Sequence, residues 1–407
     1  MNNPSQFFAM DFGNSTTSVA CFNPNGEMIH PVYLLNTTHL MNSVVKVTEN
    51  SLDYVQTVPK ILSPGYYITN FKMLLGRVER DLKPELREES LYGAPVRFDE
   101  NHHPYFHCEF NTQTGMTTVR NIYPEELFLV VLKKALDEVI AHSGHSSMKY
   151  CTFTVPHYTT NRARHLMRQA ASKLGLECNF MLKEPTAAGI QYLSPPNPGA
   201  RFRGGVNDGD TILVFDFGAG TLDISIIRRN GNSYEVIGCS GDPLLGGNVI
   251  DKAVVSYVMG KYQSRTRNTL FANLPKKERR FRMMCKEARE ALSSDDSVII
   301  DLEDFGIDDE IILTQDEFER SIMKDILSRI SMIVRKAIQS IHDHSSQINH
   351  IMLVGGSSNI PCIRKLFESY SYNILEVANM QEVVSEGACL ATLHDLQQNN
   401  IVEDIII

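Results

Sequence analysis

The sequence predicts an α/β protein made of two similar halves, because strands and helices alternate along the chain and one motif occurs twice. Residues 7–22 are "FFAMDFGNSTTSVACF", and residues 214–227 are "VFDFGAGTLDISII". In each stretch an apolar strand ends in Asp-Phe-Gly, a turn of small residues follows, and a second apolar strand begins. A unit repeated in this way predicts two related halves that face one site.

Length and composition are those of a globular chain with enough residues for two domains or one two-lobed body. The chain has 407 residues, of which 43% are hydrophobic and 21% are charged. Its net charge of -9 argues against a general nucleic-acid binder, since such proteins need a basic face to neutralise phosphates. No apolar run is long enough to span a bilayer, so we expect no membrane partner.

The cysteines and the N-terminus predict the compartment. The eight cysteines show neither the spacing of zinc ligands nor that of a disulfide framework. The first residues, "MNNPSQ", lack the charged and apolar regions of a signal peptide. These features predict a reducing, cytoplasmic location.

Hydrophobic periodicity gives the expected order of elements. Strands are predicted at 6–12, 16–22, 149–155, 211–217, 221–229, 233–239, 297–302 and 349–354, with further strands around the turn "NTQTG" within 92–121. Helices are predicted at 124–142, 160–174, 246–263, 276–293, 316–343 and 382–397. The stretch 194–210 is rich in Pro and Gly without periodicity, which predicts a surface loop between the halves.

The two hairpin turns suit an anion. Small residues at Gly13-Asn14-Ser15-Thr16 and Gly218-Ala219-Gly220-Thr221 let several backbone N–H groups approach one phosphate. Asp11 and Asp216 lie within the apolar strands, where a carboxylate is costly unless a cation or strong donor meets it. We expect the hairpins to clamp a polyphosphate and the carboxylates to hold Mg²⁺, mainly through water. Ordinary tight hairpins would explain the glycines but not the acids.

Two further glycine turns each open a helix. In "IMLVGGSSNIP", a strand meets Gly355, Gly356 and Ser357, and a helix is predicted to begin near Pro361. In "GDPLLGGNVID", Gly246 and Gly247 begin another helix. Such turns let the backbone and the helix N-terminus approach a nucleotide closely.

Seven stretches in order resemble one family. These are "DFGNSTTSV", "FKMLLGR", "YCTFTVPHY", "KEPTAAGIQY", "VFDFGAGTLDISI", "LLGGNVID" and "IMLVGGSSNIP". Across residues 6–393 the chain resembles the nucleotide-binding domain of the seventy-kilodalton heat-shock (Hsp70) chaperones. The resemblance implies the actin-like ATPase fold, with two lobes around a cleft that binds ATP or ADP with Mg²⁺.

The resemblance also implies a division of the chain. Lobe I is expected at 1–205, with a core subdomain at 1–40 and 124–205 and a peripheral subdomain at 41–123. Lobe II is expected at 206–398, with a core subdomain at 206–245 and 326–398 and a peripheral subdomain at 246–325. The tail 399–407 looks like the family's linker, which leads to a peptide-binding domain absent from this chain.

At the phosphates, the resemblance assigns catalytic roles. Lys72 matches the lysine that reaches the terminal phosphate, and Glu184 the carboxylate that helps to place the attacking water. Thr221 and Asp223 match the hydroxyl and acid of the second hairpin, with Asp216 as a magnesium-organising acid. Phosphoryl transfer needs this chemistry: a cation on the departing oxygens, a lysine on the transferred group and a carboxylate on the water.

At the adenosine end the sequence departs from the family. Lys286, Arg289, Glu290 and Ser293 stand where the family has Glu, Lys, Arg and Ser, so two of the four positions change the sign of their charge. Lys286 and Glu290 lie one helical turn apart and can compensate each other. Asn359 stands where the family has Arg, and Gln381 where it has Asp. We therefore expect looser base selectivity.

Partner surfaces and rival functions complete the expectations. Pro156 and Arg164 match residues that couple nucleotide state to the linker, but "TTNRAR" departs from the family pattern around them. A J-domain cochaperone and a nucleotide exchange factor are possible partners on this altered surface.

Two other functions of the same fold stay open as alternatives: a regulatory nucleotide-binding protein with little turnover, and an actin-like filament former. A sugar or acetate kinase would need a small-molecule pocket that no motif indicates, and a protein kinase lacks its motifs.

Overall fold

A computed structural model describes residues 6–29, 40–59, 63–111, 116–178, 180–193, 206–207, 209–230, 233–267, 275–341, 347–370, 372–377 and 379–398. Three predicted segments lie wholly or mostly outside these residues: the "NTQTG" turn, the loop 194–210 and the tail 399–407.

The elements alternate as the sequence predicts. The strands are β1 (Phe7–Phe12), β2 (Thr16–Phe22), β3 (Met28–Ile29), β4 (Leu40–Asn42), β5 (Val45–Val47), β6 (Leu52–Tyr54), β7 (Tyr66–Ile68), β8 (Val96–Phe98), β9 (Pro104–Asn111), β10 (Thr117–Ile122), β11 (Tyr150–Val155), β12 (Met181–Lys183), β13 (Thr211–Phe217), β14 (Leu222–Asn230), β15 (Ser233–Asp242), β16 (Ser297–Asp301), β17 (Glu310–Thr314), β18 (His350–Val354) and β19 (Asn373–Leu375). The helices are α1 (Glu89–Tyr92), α2 (Pro124–Ser143), α3 (Asn161–Lys173), α4 (Glu184–Leu193), α5 (Gly247–Thr266), α6 (Pro275–Ala291), α7 (Gln315–Glu317), α8 (Met323–Gln339), α9 (Pro361–Glu368) and α10 (Val383–Gln398).

Two sheets share one topology. The first has the order β12-β11-β1-β2-β3, with β4 also paired to β2, and the second has the order β15-β14-β13-β18-β19. In both, an antiparallel meander of three strands (β1–β3 or β13–β15) is extended by two parallel strands on the side of its first strand. The repeated Asp-Phe-Gly motif therefore ends the first strand of each sheet. This confirms an α/β fold with a duplicated core.

The sheets are held together by two helices that cross between them. Helix α4 and helix α10 pack closely against each other, and α10 also contacts β1, β2 and β11. The Ser18 and Thr152 side chains bond to Ser385 at 3.0 Å and to Thr392 at 2.8 Å. Gly387 permits the crossing, because a Cβ there would overlap the carbonyl oxygen of Ala187.

Smaller units sit above each sheet and meet across the cleft. Strands β5–β7 and β8–β10 form two three-stranded sheets, while α5, α6 and the β16–β17 ribbon lie on the opposite side. Glu88 accepts hydrogen bonds from Lys252 at 2.6 Å and from Arg282 at 3.2 Å. Arg279 donates to the Tyr67 carbonyl at 2.5 Å. These contacts define the mouth of the cleft.

The structure departs from the predicted elements in two respects. Strands β3–β7, β12, β17 and β19 were not predicted, and all have five residues or fewer, too few to show a clear period. The helix predicted at 316–343 contains a π-helical turn at Phe318–Ile322 and ends at Gln339. Among the described helices, none combines the length and apolar character that crossing a membrane requires.

The crossing of α4 and α10 predicts the effect of one substitution. Gly387→Ala should lower the free energy of unfolding by about 1–3 kcal/mol, because the new methyl group must push the backbone of α4 away. The measurement is urea unfolding followed by circular dichroism. The matched control is Gly260→Ala in α5, where no heavy atom lies within 4 Å of the new Cβ; it should be neutral or stabilising by up to about 1 kcal/mol. Equal midpoints for both variants would contradict a tight crossing.

Candidate functional site

The two hairpin turns open into a cavity of about 600 Å³ at the base of the cleft. Most of the predicted site residues line it: Asp11, Gly13, Asn14, Ser15, Lys72, Glu184, Asp216, Gly218, Ala219, Gly220, Thr221, Gly247, Lys286, Arg289, Ser293, Gly355, Gly356, Ser357 and Asn359. Two do not. Asp223 lies within the second hairpin, in β14 and opposite Asp216. Gly246 packs against the turn of this hairpin, where an added Cβ would lie 2.5 Å from the Gly220 carbonyl carbon. The structure thus gathers residues from both sheets around one space.

The two turns are closed by the same backbone hydrogen bond. The Gly13 N–H donates to the Thr16 carbonyl at 2.9 Å, and the Gly218 N–H donates to the Thr221 carbonyl at 3.1 Å. The Asn14 side chain packs against Gly220, so the two hairpins touch at their tips. The duplicated sequence therefore produces duplicated turn geometry on both sides of the cavity.

The second turn is supported from behind. The Gly247 N–H donates to the Gly218 carbonyl at 3.0 Å, and the Ser357 hydroxyl donates to the same oxygen at 2.9 Å. Gly355 links β18 to this support with a φ of 84°, a conformation that favours glycine. A Cβ at Gly355 would also lie 2.6 Å from the Phe217 carbonyl oxygen. Both later glycine turns thus brace the 218–221 hairpin.

Lys72 and Glu184 form an ion pair at the inner end of the cavity. The Lys72 Nζ lies 2.7 Å from the Glu184 Oε1, and both side chains are 11% exposed. Burial raises the pKa of Glu184 to about 8, although Lys72 acts to lower it. Lys72 lies in a 3₁₀ turn, Phe71–Leu74, and Glu184 is the first residue of α4. Residues distant in sequence therefore place one cation and one carboxylate side by side.

Three more carboxylates surround this pair. Burial is the main cause that raises the pKa of Asp11, Asp216 and Asp223, and Lys72 acts in the opposite direction on each. Asp11 accepts a hydrogen bond from the Thr154 hydroxyl at 2.6 Å. Asp223 accepts one from the His157 N–H at 2.9 Å. For Asp216, the neighbouring Glu184, Asp11 and Asp223 raise the pKa further.

This donor set fits a hydrated cation beside an anionic ligand. Within the described stretches, no three His, Cys, Asp or Glu side chains converge as direct ligands of one metal. Asp11 and Asp216 nevertheless present desolvated carboxylates to the cavity, and a cation held through its water ligands would offset their repulsion. The Oδ1 atom of Asn14 is buried without a hydrogen-bond partner in the described chain. A ligand donor or bridging water could satisfy it.

The outer end of the cavity carries a charge network on α6. The Arg289 Nε lies 2.6 Å from an Asp251 oxygen, both side chains being buried, and an Arg289 terminal nitrogen lies 3.2 Å from Glu290. Lys286 is 3.9 Å from Glu290 and donates to the Ser15 hydroxyl at 3.4 Å across the cleft. Lys286 and Glu290 thus pair along the helix as predicted, but their separation is the longest in the network. The shortest ion pair joins Arg289 to Asp251, which lies on α5.

Several lining residues were not predicted. They are Asn42, Asn248, Asp251, Val354, Met380 and Val384. One sequence feature could have predicted Asp251. It stands four residues after Gly247, so it lies one helical turn beyond the N-terminus of α5, on the same face as the Gly-Gly turn. Asn248 donates its backbone N–H to the Ala219 carbonyl at 2.7 Å and its side chain to Asn70 at 3.2 Å.

The raised carboxyl pKa values predict a pH dependence of stability. The pKa of Glu184 rises from 4.5 to about 8, so between these values the folded protein binds more protons than the unfolded chain. The free energy of unfolding should therefore fall as pH rises from about 5 to about 8. Glu184→Gln should show a shallower fall in thermal melts without ligand, whereas Glu310→Gln, at an exposed position, should follow the parent. Identical slopes for all three proteins would contradict this.

Comparisons with known proteins agree with the duplicated topology. A family model described as Hsp70 protein matches residues 8–407. A heat shock 70 kDa protein of Neurospora crassa is 29% identical over 335 residues, covering 81% of this chain and 49% of that protein. Heat shock 70 kDa protein BIP3 of Oryza sativa subsp. japonica is 29% identical over 350 residues, covering 85% of this chain and 50% of that protein. The chain spans about half the length of these relatives. Because the family model matches almost the whole chain, the chain belongs to the Hsp70 family and has that family's actin-like ATPase fold.

Proposed function

We propose that this chain binds ATP and hydrolyses it to ADP and phosphate in a Mg²⁺-dependent reaction. The observation that carries the proposal is the inner end of the cavity, where two identically closed hairpins face the Lys72–Glu184 pair. Membership of the Hsp70 family supports the same activity. Nucleotide is therefore the proposed ligand, with its phosphates between the hairpins.

The proposed phosphate contacts come from backbone and side chain together. The turns at 13–16 and 218–221 supply N–H groups, which bind an anion without bringing a full positive charge. Lys72 supplies the charge: its ammonium moves between Glu184 and the terminal phosphate when nucleotide enters. Thr221, next to this point, offers a hydroxyl to the same group.

Glu184 is the proposed residue that orients the attacking water. Its carboxylate is buried, close to Lys72 and repelled by Asp11 and Asp223. A carboxylate whose pKa lies near neutral pH can accept a proton from water as the new bond forms. Asp223 lies outside the cavity lining, so it would orient the Thr221 side chain through a hydrogen bond and would not contact the ligand. It is therefore proposed as a positioning residue.

The magnesium proposal rests on Asp11 and Asp216. Mg²⁺ bound with the nucleotide would neutralise charge on the phosphate oxygens. Asp11 and Asp216 would hold its water ligands, and Thr154 would keep Asp11 oriented through their hydrogen bond.

The division into lobes and the partners are also proposals. The paired sheets and the units above them support lobes that divide near residues 205–206, each with a core and a peripheral subdomain. The curated relatives are about twice as long as this chain, which supports coupling of hydrolysis to a peptide-binding domain in the whole protein. A J-domain cochaperone would dock near Pro156 and Arg164, and an exchange factor would act on the peripheral subdomains.

A second function is favoured by one specific observation. Arg289 is already engaged by Asp251 and Glu290, so its guanidinium is less available to a nucleoside than a free cation would be. A regulatory protein that binds nucleotide with little turnover would tolerate this arrangement. Calorimetric binding of ATP without phosphate release, at any magnesium concentration, would favour this second function.

Two substitutions test the catalytic roles. Lys72→Ala and Glu184→Gln should each lower the rate of phosphate release by about a hundredfold or more, because their contacts strengthen as charge moves in the transition state. Affinity for ADP, measured by calorimetry, should change far less. Lys133→Ala, an exposed lysine on α2, is the matched control and should hydrolyse at the parent rate. Parent rates in both site variants would refute the catalytic assignment.

The outer end of the cavity predicts weak base selectivity. We expect affinities for ATP and GTP that differ by less than about tenfold, since a site whose polar groups are committed elsewhere discriminates poorly. Competition binding against a fluorescent nucleotide measures the ratio. A much stronger preference for ATP would show that the Arg289–Asp251–Glu290 network itself recognises adenine.

A further inference from the structure

Two cysteines outside the candidate functional site lie side by side on neighbouring segments. Tyr150 and Glu177 form a parallel bridge, and the Cys151 N–H donates to the Glu177 carbonyl at 3.0 Å. Cys178 follows Glu177, so it stands opposite Cys151 in this pairing. The Cys178 thiol donates to the Phe180 carbonyl at 3.5 Å and interacts with the Cys151 thiol. Paired strands lie about 4.8 Å apart, within the Cα separation of about 4.4–6.8 Å that a disulfide requires. The strand pairing thus places the two cysteines opposite each other, at the backbone spacing that suits a disulfide.

The two thiols differ in access and in ionisation. Cys151 lies in β11 and is 2% exposed, whereas Cys178 is partly exposed. The hydrogen bond with Cys151 is the main cause that lowers the pKa of Cys178; burial opposes it, and Arg168 acts in the lowering direction. Because the thiolate is the reactive form of cysteine, Cys178 is the member that an oxidant meets first.

We propose that Cys151 and Cys178 are a peroxide-sensitive dithiol that forms a reversible disulfide. The Cys178 thiolate attacks one oxygen of hydrogen peroxide, and the other oxygen leaves as hydroxide and becomes water, which gives a sulfenic acid. The Cys151 sulfur then attacks the Cys178 sulfur, and the hydroxyl group leaves as a second water with the Cys151 proton. Both thiols are oxidised by two electrons in total and peroxide is reduced. A dithiol reductant restores the pair.

The bond would act on the segment that enters the candidate functional site. Cys178 stands shortly before β12, and β12 leads directly into Glu184 at the start of α4. A disulfide would tie this approach to β11 and close a loop that contains the whole of α3. Closing that loop restricts the unfolded chain, so the oxidised protein should melt at a higher temperature. The cysteine chemistry itself does not depend on the proposed ATPase activity.

The chain contains a matched internal control. Cys21 and Cys389 also interact: burial and, after it, the neighbouring Cys21 raise the pKa of Cys389. Both residues are 0% exposed, so an oxidant has no direct route to either thiol. In both pairs the two cysteines lie near each other. Only the Cys151–Cys178 pair also contains a partly exposed cysteine whose thiol has a lowered pKa.

The test uses the purified chain, first reduced and then treated with a small molar excess of hydrogen peroxide. After alkylation, tryptic digestion should release peptides 150–162 and 174–183 joined by a disulfide, at their summed mass less two hydrogens. The melting temperature should rise by a few degrees and return after dithiothreitol. Cys178→Ser should abolish both effects. Cys151→Ala keeps an apolar side chain in the core but removes the hydrogen bond that lowers the pKa of Cys178, so Cys178 should react more slowly with peroxide. Without a partner thiol, the sulfenic acid that does form on Cys178 should persist, and dimedone should label it.

Three outcomes would overturn the proposal. The first is alkylation of both cysteines at the same rate as in the reduced protein after peroxide treatment. The second is a Cys21–Cys389 bond formed before or together with the Cys151–Cys178 bond. The third is oxidation of Cys178 to a sulfinic acid in the parent protein without any linked peptide. Because peptide mapping is the readout, these outcomes are independent of whether the chain hydrolyses ATP.

Discussion

The structure is organised around buried carboxylates that need a positive partner. Asp11, Glu184, Asp216 and Asp223 are drawn together at the base of the cleft, and Lys72 lies among them with its ammonium 2.7 Å from Glu184. A desolvated carboxylate costs several kcal/mol unless it is paired or hydrogen-bonded. One ammonium cannot offset four such groups. In the proposed function, the Mg²⁺ that accompanies the nucleotide would bring the further positive charge that relieves this repulsion.

The sequence predicted the features that are local. Asp11 and Asp216 were predicted to sit beside a ligand because each stands in an apolar strand before a glycine turn, and both line the cavity. The long periodic elements were found near their expected positions for the same reason. Short strands such as β7 and β19 give too few residues for periodicity to be recognised, and their pairing comes from neighbouring chain segments.

Features that depend on tertiary contact were predicted less well. Lys286 and Glu290 were recognised as a helical pair, yet the shortest ion pair on α6 joins Arg289 to Asp251, which comes from α5. Helical spacing cannot reveal a partner on another helix. The nearness of Lys72 to Glu184 came from the family resemblance, since 112 residues separate them and no local pattern links the two. The Cys151–Cys178 pair likewise depends on strand register.

Different interactions hold the two sides of the cleft together at its base and at its mouth. At the base, α4 and α10 meet through close backbone contact at Gly387, and Gln191 donates to Glu386 at 2.6 Å. At the mouth, Glu88 on one side meets Lys252 and Arg282 on the other, and the Glu88–Lys252 pair is partly exposed. Mobile ions screen such exposed pairs over roughly 8–10 Å at physiological ionic strength but act little on buried packing. Raised salt should therefore weaken the ion pairs that join the two sides of the mouth, while the close packing of α4 on α10 should change little.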